Sequence, residues 1–288
     1  MKKILAITLC AVMLLTSVLA FASCGETKAK VEVFTEYELT AESYAFAIAK
    51  GNDELKTAAN DLLAELSETG ELDKIINSFF DGTATFAYTN PVSTVPTGAD
   101  KENYLVVATN AYFPPFEYYE GSKLSGVDMK IASLLADKLG KTLYINDMDF
   151  DTIITSVMNG ESDIGMAGMT VNETRLELVD FTTEYYESAQ VLIAREDDSV
   201  FADCKSAEDI ENVLKKQGKD FIVGTQNGTT GFMYTAGDAD FGYDGYKNLE
   251  TKSYTTGALA VLDLANGKIN AVIIDKQPAI MIAESTNK

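Results

Sequence analysis

The sequence predicts an α/β fold with two lobes. Three observations carry this reading. From residue 104 onward, short runs rich in β-branched residues alternate with segments of helical apolar spacing, the signature of strands covered by helices. The chain has 288 residues, enough to bury two cores. Apolar residues make up 46% and charged residues 23%, an ordinary globular balance.

The first 23 residues read as an export signal. Lys2 and Lys3 form a basic start, an apolar run follows, and the small residues Ala22 and Ser23 precede Cys24. The apolar run is too short for a membrane span and ends in small residues. Phe21-Ala22-Ser23-Cys24 resembles a bacterial lipobox, with Phe21 where leucine is usual. On that resemblance Cys24 is the lipid-modified first residue of the mature chain, and residues 24–30 form its tether. The alternative is a plain secreted protein with a free Cys24. Removing residues 1–23 leaves 21 basic against 44 acidic residues, a net charge of −23. Such a surface solvates the protein and repels nucleic acid phosphates. No histidine is present, which excludes imidazole bases and His metal sites, and no cofactor or metal is expected. Cys10 is removed with the signal, so Cys204 has no disulfide partner within the mature chain.

The elements follow in order. Residues 31–34 alternate as a strand does, and 44–49 form a second candidate strand. Asp53 is placed to cap a helix whose apolar face is Leu55, Ala58, Leu62, Leu63 and Leu66. Gly70 ends it, and a short helix follows over 72–80. Residues 81–102 carry Gly82, Asn90-Pro91, Pro96 and Gly98 and read as a linker. The alternation then begins, with strands at 104–109, 142–145, 163–167, 189–194, 221–224 and 270–274. Helices are expected at 124–139, 151–159, near 173 and at 256–266.

Several stretches in this order are similar to one family. They are VVATNAYFPPFEYYEG (106–121), GVDMKIASLLADKLGK (126–141), MDFDTIITSVMNGESDI (148–164), AGMTVNETR (167–175), VDFTTEYYES (179–188), VGTQNGTTG (223–231) and AVIIDKQPAI (271–280). The chain resembles bacterial extracellular solute-binding proteins of family 3, the amino-acid-binding proteins of ABC transporters. The resemblance implies a two-lobe periplasmic-binding-protein type II fold with two hinge strands. It implies an amino-acid ligand, ABC transporter permease subunits as partners and no catalysis.

An α-amino acid needs a cation for its carboxylate and an anion for its ammonium. Arg175 can hold a carboxylate bidentately, which a lysine does less well. The resemblance assigns Arg175 and Thr170 to the ligand carboxylate, and Asp275 with the Gly168 carbonyl to the ammonium. Gly168 would let the ligand approach the main chain. Phe113 and Phe150 match stacking positions, and Asn110 and Gln226 match positions that read the side-chain end. Thr229 and Thr230 lie in a turn whose N–H groups can reach the carboxylate. The alternatives are a surface pairing of Arg175 with Glu173 or Glu177, a helix-cap role for Asp275, core roles for Phe113 and Phe150, and turn roles for Asn110 and Gln226. The neutral pair Asn110 and Gln226 favours a polar, uncharged side chain, while Glu117 leaves a basic ligand open.

The order of segments departs from the family. Its members end with a hinge strand and two helices, whereas here residues 37–51 resemble that hinge strand and 53–80 those helices. The order implies a circular permutation, with 81–102 joining the old C-terminus to the old N-terminus. Residues 44–187, containing the linker, would form a continuous first lobe, and 31–43 with 188–288 a split second lobe. The rival account is a fused gene remnant. The rival function is an enzyme on this fold, such as a dehydratase. It needs a cleft acid or base, and Glu117 is the nearby spare carboxylate, with no evident partner.

Overall fold

The computed structural model describes residues 28–288. The expectations for segment 1–23 and Cys24 therefore lie outside the described residues. In chain order, β1 is Val31–Val33, β2 Glu42–Tyr44, β3 Ala47–Ile48, α1 Asp53–Glu68 and α2 Glu71–Phe80. After the 81–102 stretch come β4 Tyr104–Thr109, β5 Tyr112–Phe113, β6 Glu117–Glu120, β7 Lys123–Ser125, α3 Val127–Leu139 and β8 Thr142–Asp147. Then follow α4 Ile153–Met158, β9 Ile164–Gly165, α5 Glu173–Leu178, β10 Asp180–Phe181, β11 Tyr186–Ser188 and β12 Gln190–Arg195. The chain ends with α6 Ala207–Lys216, β13 Ile222–Gln226, α7 Thr230–Ala236, β14 Glu250–Tyr254, α8 Gly257–Ala265, β15 Ala271–Asp275 and α9 Lys276–Thr286.

Two five-stranded mixed sheets organise these elements, in the orders β10-β3-β9-β4-β8 and β1-β12-β15-β13-β14. The early segment contributes to both. β1 is an edge strand, with Val31 opposite Arg195, in the sheet that holds β15. β3 lies between β9 and β10 in the other sheet. Between the sheets, β2 pairs antiparallel with β11, placing Tyr44 opposite Tyr186 and Glu42 opposite Ser188. The two connections between the sheets are thus hydrogen-bonded to each other.

α1 and α2 bury one face each. Leu62, Leu63, Leu66, Leu72, Ile75 and Phe79 share a core with Ile131 and Leu135 of α3 and with Leu105 and Val107 of β4. The cap differs from expectation, because Asn52 accepts from the Leu55 N–H while Asp53 joins the first turn as a favourable acid. Ala59, rather than Ala58, is the buried alanine of that face.

Other boundaries also shift, for physical reasons. The expected strand over 44–49 is broken at Ala45-Phe46. There the Ala45 N–H turns to the Met169 carbonyl, and the Phe46 N–H turns to the Thr182 hydroxyl. The helix expected from 124 begins at Val127. Leu124 exchanges backbone bonds with Tyr88, and Gly126, at φ 125°, brings the chain where an added Cβ would lie 2.1 Å from the Phe116 oxygen. The strand expected over 163–167 shortens to β9. Stretch 81–102 has little regular structure but is docked on the first sheet's unit. Asn90 bonds both backbone groups of Ile145, and the Ser125 hydroxyl donates to the Phe86 carbonyl.

Leu63 is 4% exposed, so Leu63→Ala should cost about 2–5 kcal/mol in unfolding free energy, measured by denaturant titration. A loss below about 0.5 kcal/mol would mean that α1 is an appendage rather than part of the core.

Candidate functional site

The two sheets point the carboxyl ends of their central strands at one cleft. β4 ends beside Asn110, β9 leads to Gly168, β13 ends at Gln226 and β15 ends at Asp275. Ligands of open α/β sheets bind at such ends. There a small cavity of about 10 Å³ is lined by Phe113, Phe150, Gly168, Thr170, Arg175, Gln226, Thr229, Thr230 and Asp275. Of the ten site residues expected from sequence, Asn110 alone stands outside this lining. It sits behind Gln226, which donates to it at 3.0 Å, and lines a neighbouring open cleft with Asp147 and Asp149.

Arg175 is 4% exposed, so a surface pairing with Glu173 or Glu177 does not hold. Its place is set by α5, whose first turn is capped when the Asn172 side chain accepts from the Arg175 N–H. The guanidinium donates to the Thr170 carbonyl at 2.5 Å and, across the cleft, to the Gly228 carbonyl at 3.0 Å. Phe150 carries the guanidinium on its ring face, 5.5 Å from the centroid. Burial pulls the guanidinium down to about 10, opposed by Glu42 and Asp275. It remains a cation at neutral pH, with backbone carbonyls as its direct acceptors.

Asp275 stands at the N-cap position of α9, yet its side chain makes no cap bond. It accepts instead from the Tyr44 hydroxyl on β2, which also accepts from Ser188 at 3.0 Å. Glu42, two residues earlier on β2, was not singled out from sequence, and it is central here. It accepts from Thr170 Oγ1 at 2.6 Å, from Thr40 Oγ1 at 2.6 Å and from Gln190 Nε2 at 2.9 Å. Thr230 in turn donates to Thr170 at 3.2 Å. Burial, and then the nearby Glu42 charge, push Asp275 up to about 7.

Gly168 has φ 52°, and an added Cβ would lie 2.9 Å from Phe113 Cε1. The space that glycine opens is therefore used by the Phe113 ring. The Gly168 N–H donates to Asp128 Oδ2 at 2.9 Å, so its carbonyl is the group left for a ligand. Asp128 also accepts from the Tyr185 hydroxyl at 2.6 Å.

Glu117 is the spare carboxylate of the sequence reading. It is completely buried against Asp128, and neither of its carboxylate oxygens meets an ordinary donor. Burial and the Asp128 charge raise Glu117 well above the usual range, and burial raises Asp128 to about 7. Two buried carboxyl groups this close disfavour carrying two charges at once. The pair was missed because its members come from β6 and α3 and meet only in space. Among the described residues, no group of three or more Cys, Asp or Glu side chains is placed to hold a metal.

Comparison with known proteins completes the picture. Residues 105–276 match the family described as bacterial extracellular solute-binding proteins, family 3. An arginine-binding extracellular protein of Bacillus subtilis is 33% identical over 40% of this chain and 46% of its own length. An ABC transporter arginine-binding protein of Escherichia coli is 31% identical over 62% of this chain and 64% of its own. The chain thus spans about half to under two thirds of these relatives' lengths. The solved structure of holo ArgBP from T. maritima superposes with a TM-score of 0.54 at 30% identity, covering 65% of this chain and 76% of that one. Two mixed sheets facing a cleft, joined by a paired ribbon, form the two-lobe type II periplasmic-binding-protein fold, and the chain belongs to the bacterial extracellular solute-binding proteins of family 3.

Proposed function

We propose that the protein captures a polar amino acid in this cleft, outside the cytoplasm, and delivers it to an ABC importer. One observation carries the reading: a buried cation, Arg175, and a buried acid, Asp275, from opposite sheets line the same cavity. A zwitterion neutralises both at once. Its carboxylate takes over guanidinium bonds now made to the Thr170 and Gly228 carbonyls, with the Thr230 N–H beside it. Its ammonium lies between Asp275 and the Gly168 carbonyl. Phe113 and Phe150 flank the side chain, and Gln226, backed by Asn110, stands at its end. A ligand that touches both sheets stabilises the closed state over any open one. The relatives named for arginine binding agree with an amino-acid ligand.

The same reading extends to the chain's ends. Cys24 carries the lipid after removal of 1–23, and tethers the protein to the outer face of the membrane, where the importer's permease subunits lie. The segment order is a circular permutation, with 44–187 as one lobe and 31–43 plus 188–288 as the other. It is supported by β1 completing the sheet of β15 and by β3 lying inside the other sheet, although the family match begins at Leu105. A fused remnant would leave the early strands without partners.

Three measurements test these points. In a thermal-shift screen of the twenty amino acids and cystine, at least one should raise the melting temperature. At a hundredfold excess over Kd the gain is about 2.7 kcal/mol. Arg175→Ala should abolish that shift, and a persisting shift would remove Arg175 from the site.

A chain reordered as 81–288 followed by a short linker and 31–80 should fold and bind the same ligand with unchanged affinity. Failure to fold would defeat the permutation.

Affinity should also depend on pH with a definite sign. Burial and the Glu42 charge push Asp275 up to about 7, and a bound ammonium lowers that value. Binding therefore expels a proton below pH 7, so affinity is full above it and falls by up to about tenfold per pH unit below. Calorimetry from pH 5 to 8 should show this fall, and Asp275→Asn should flatten it. A flat profile in the parent protein would show that Asp275 does not meet the ammonium.

A further inference from the structure

We propose that Glu117 is a positioning residue of the site: its carboxyl keeps its proton at neutral pH and donates to Asp128, which stays ionised and holds Gly168 in place. The proton's location needs no ligand, while the positioning role rests on the capture reading above. Glu117 opens β6 and Asp128 lies in the first turn of α3, and the two elements are pressed together there. The Asp128 N–H donates to the Phe116 carbonyl at 3.0 Å. A Cβ added at Gly126 would lie 2.8 Å from the Glu117 nitrogen. Both acids are completely buried.

The donors around the pair decide which member carries the proton. Asp128 receives two, the Gly168 N–H at 2.9 Å on Oδ2 and the Tyr185 hydroxyl at 2.6 Å on Oδ1. Glu117 receives none, because neither of its oxygens has a donor among the described residues. An ionised Glu117 would be a dry anion without a hydrogen bond. An ionised Asp128 has two, and a protonated Glu117 supplies a third. The titratable groups facing the pair from neighbouring elements are Tyr185 just ahead of β11, Tyr44 on β2, Asp147 on β8 and Asp275 on β15. None of them brings positive charge. The upward shift of Glu117 has the same origin, burial first and the Asp128 charge second.

Through Asp128 this proton acts on the ligand site. Gly168 lines the cavity in a left-handed conformation, φ 52°, and its N–H is tied to Asp128. The carbonyl that faces the ligand ammonium belongs to the same residue, so that conformation sets its direction. A neutral Asp128 would hold the N–H more weakly, since bonds to an ionised acceptor are the stronger ones. Two ionised carboxylates would instead repel each other and force β6 from the start of α3.

Replacing each acid by its amide in the full mature protein tests the assignment, because the two exchanges are not equivalent. Glu117→Gln keeps a donor facing Asp128, whereas Asp128→Asn leaves one oxygen for three donors. Without ligand, the fold keeps a proton that the unfolded chain releases above about pH 4.3. The stability this proton lends is therefore present below that pH and lost as pH rises, by up to about tenfold in the unfolding constant per pH unit. Denaturant titrations from pH 5 to 8 should show a flatter profile for Glu117→Gln than for the parent. Asp275 remains in both proteins and cancels in the difference. In the thermal-shift screen of the twenty amino acids and cystine, Glu117→Leu should lose most of the best ligand's shift and Glu117→Gln should restore it. Asp128→Asn should lose the shift or fail to fold. A Glu117→Gln profile parallel to the parent's, or a Glu117→Gln protein that does not fold, removes the proton from Glu117. Asp128→Asn matching the parent while Glu117→Gln does not would put the proton on Asp128 and overturn the assignment. A full shift in Glu117→Leu overturns the positioning role; if that variant does not fold, the contrast between the two amides decides. No shift by any ligand in the parent overturns capture and positioning together, and the pH profile still decides the proton.

Discussion

The structure depends on compensating a buried cation in a cleft dominated by buried acids. Arg175 is nearly dry, and dry charges persist only when paired or well hydrogen-bonded. Its direct partners are two backbone carbonyls, one on each side of the cleft, with Glu42 and Asp275 favouring its charge from nearby. The cross-cleft bond to the Gly228 carbonyl needs Gly228 at φ 71°, packed where an added Cβ would lie 2.9 Å from the Asp151 Cβ. A second bond, from Asn227 to Asp151 at 2.6 Å, runs beside it. The Tyr44–Asp275 bond ties β2 to the end of β15. Closure of the cleft and the charge state of its acids are therefore one problem.

The ribbon of β2 and β11 carries part of the site. Strands that merely connected the sheets would have no need of buried acids, yet β2 supplies both Glu42 and Tyr44. Tyr44 packs edge-on against Phe116, with ring centroids 5.1 Å apart, and Tyr185 stacks on Phe46 at 4.6 Å. Tyr185 also holds Asp128, which holds Gly168. A continuous line of packed rings and hydrogen bonds thus runs from the ribbon to the cavity wall.

Much of this was legible in the sequence because it is local or motif-borne. The helical faces of α1 and α3 follow from apolar spacing, and nine of the ten expected site residues line one cavity. What escaped was relational. Glu42 lies in the stretch that resembles a hinge strand, and only the folded ribbon turns it onto Thr170 and Gln190. Glu117 and Asp128, eleven positions apart, look like unrelated acids until β6 and α3 pack together. The 81–102 stretch looks like free linker by composition, while Phe86, Tyr88 and Asn90 fasten it down.

By itself, the sequence determined the α/β class, the resemblance to solute-binding proteins and the set of residue types at the cleft. Those properties follow from periodicity, composition and short motifs, which act along the chain. Tertiary structure alone decided which acids are buried together and which way the Asn110 and Gln226 amides face. These outcomes depend on groups far apart in sequence competing for the same donors and the same dry space. No local signal records the result of that competition.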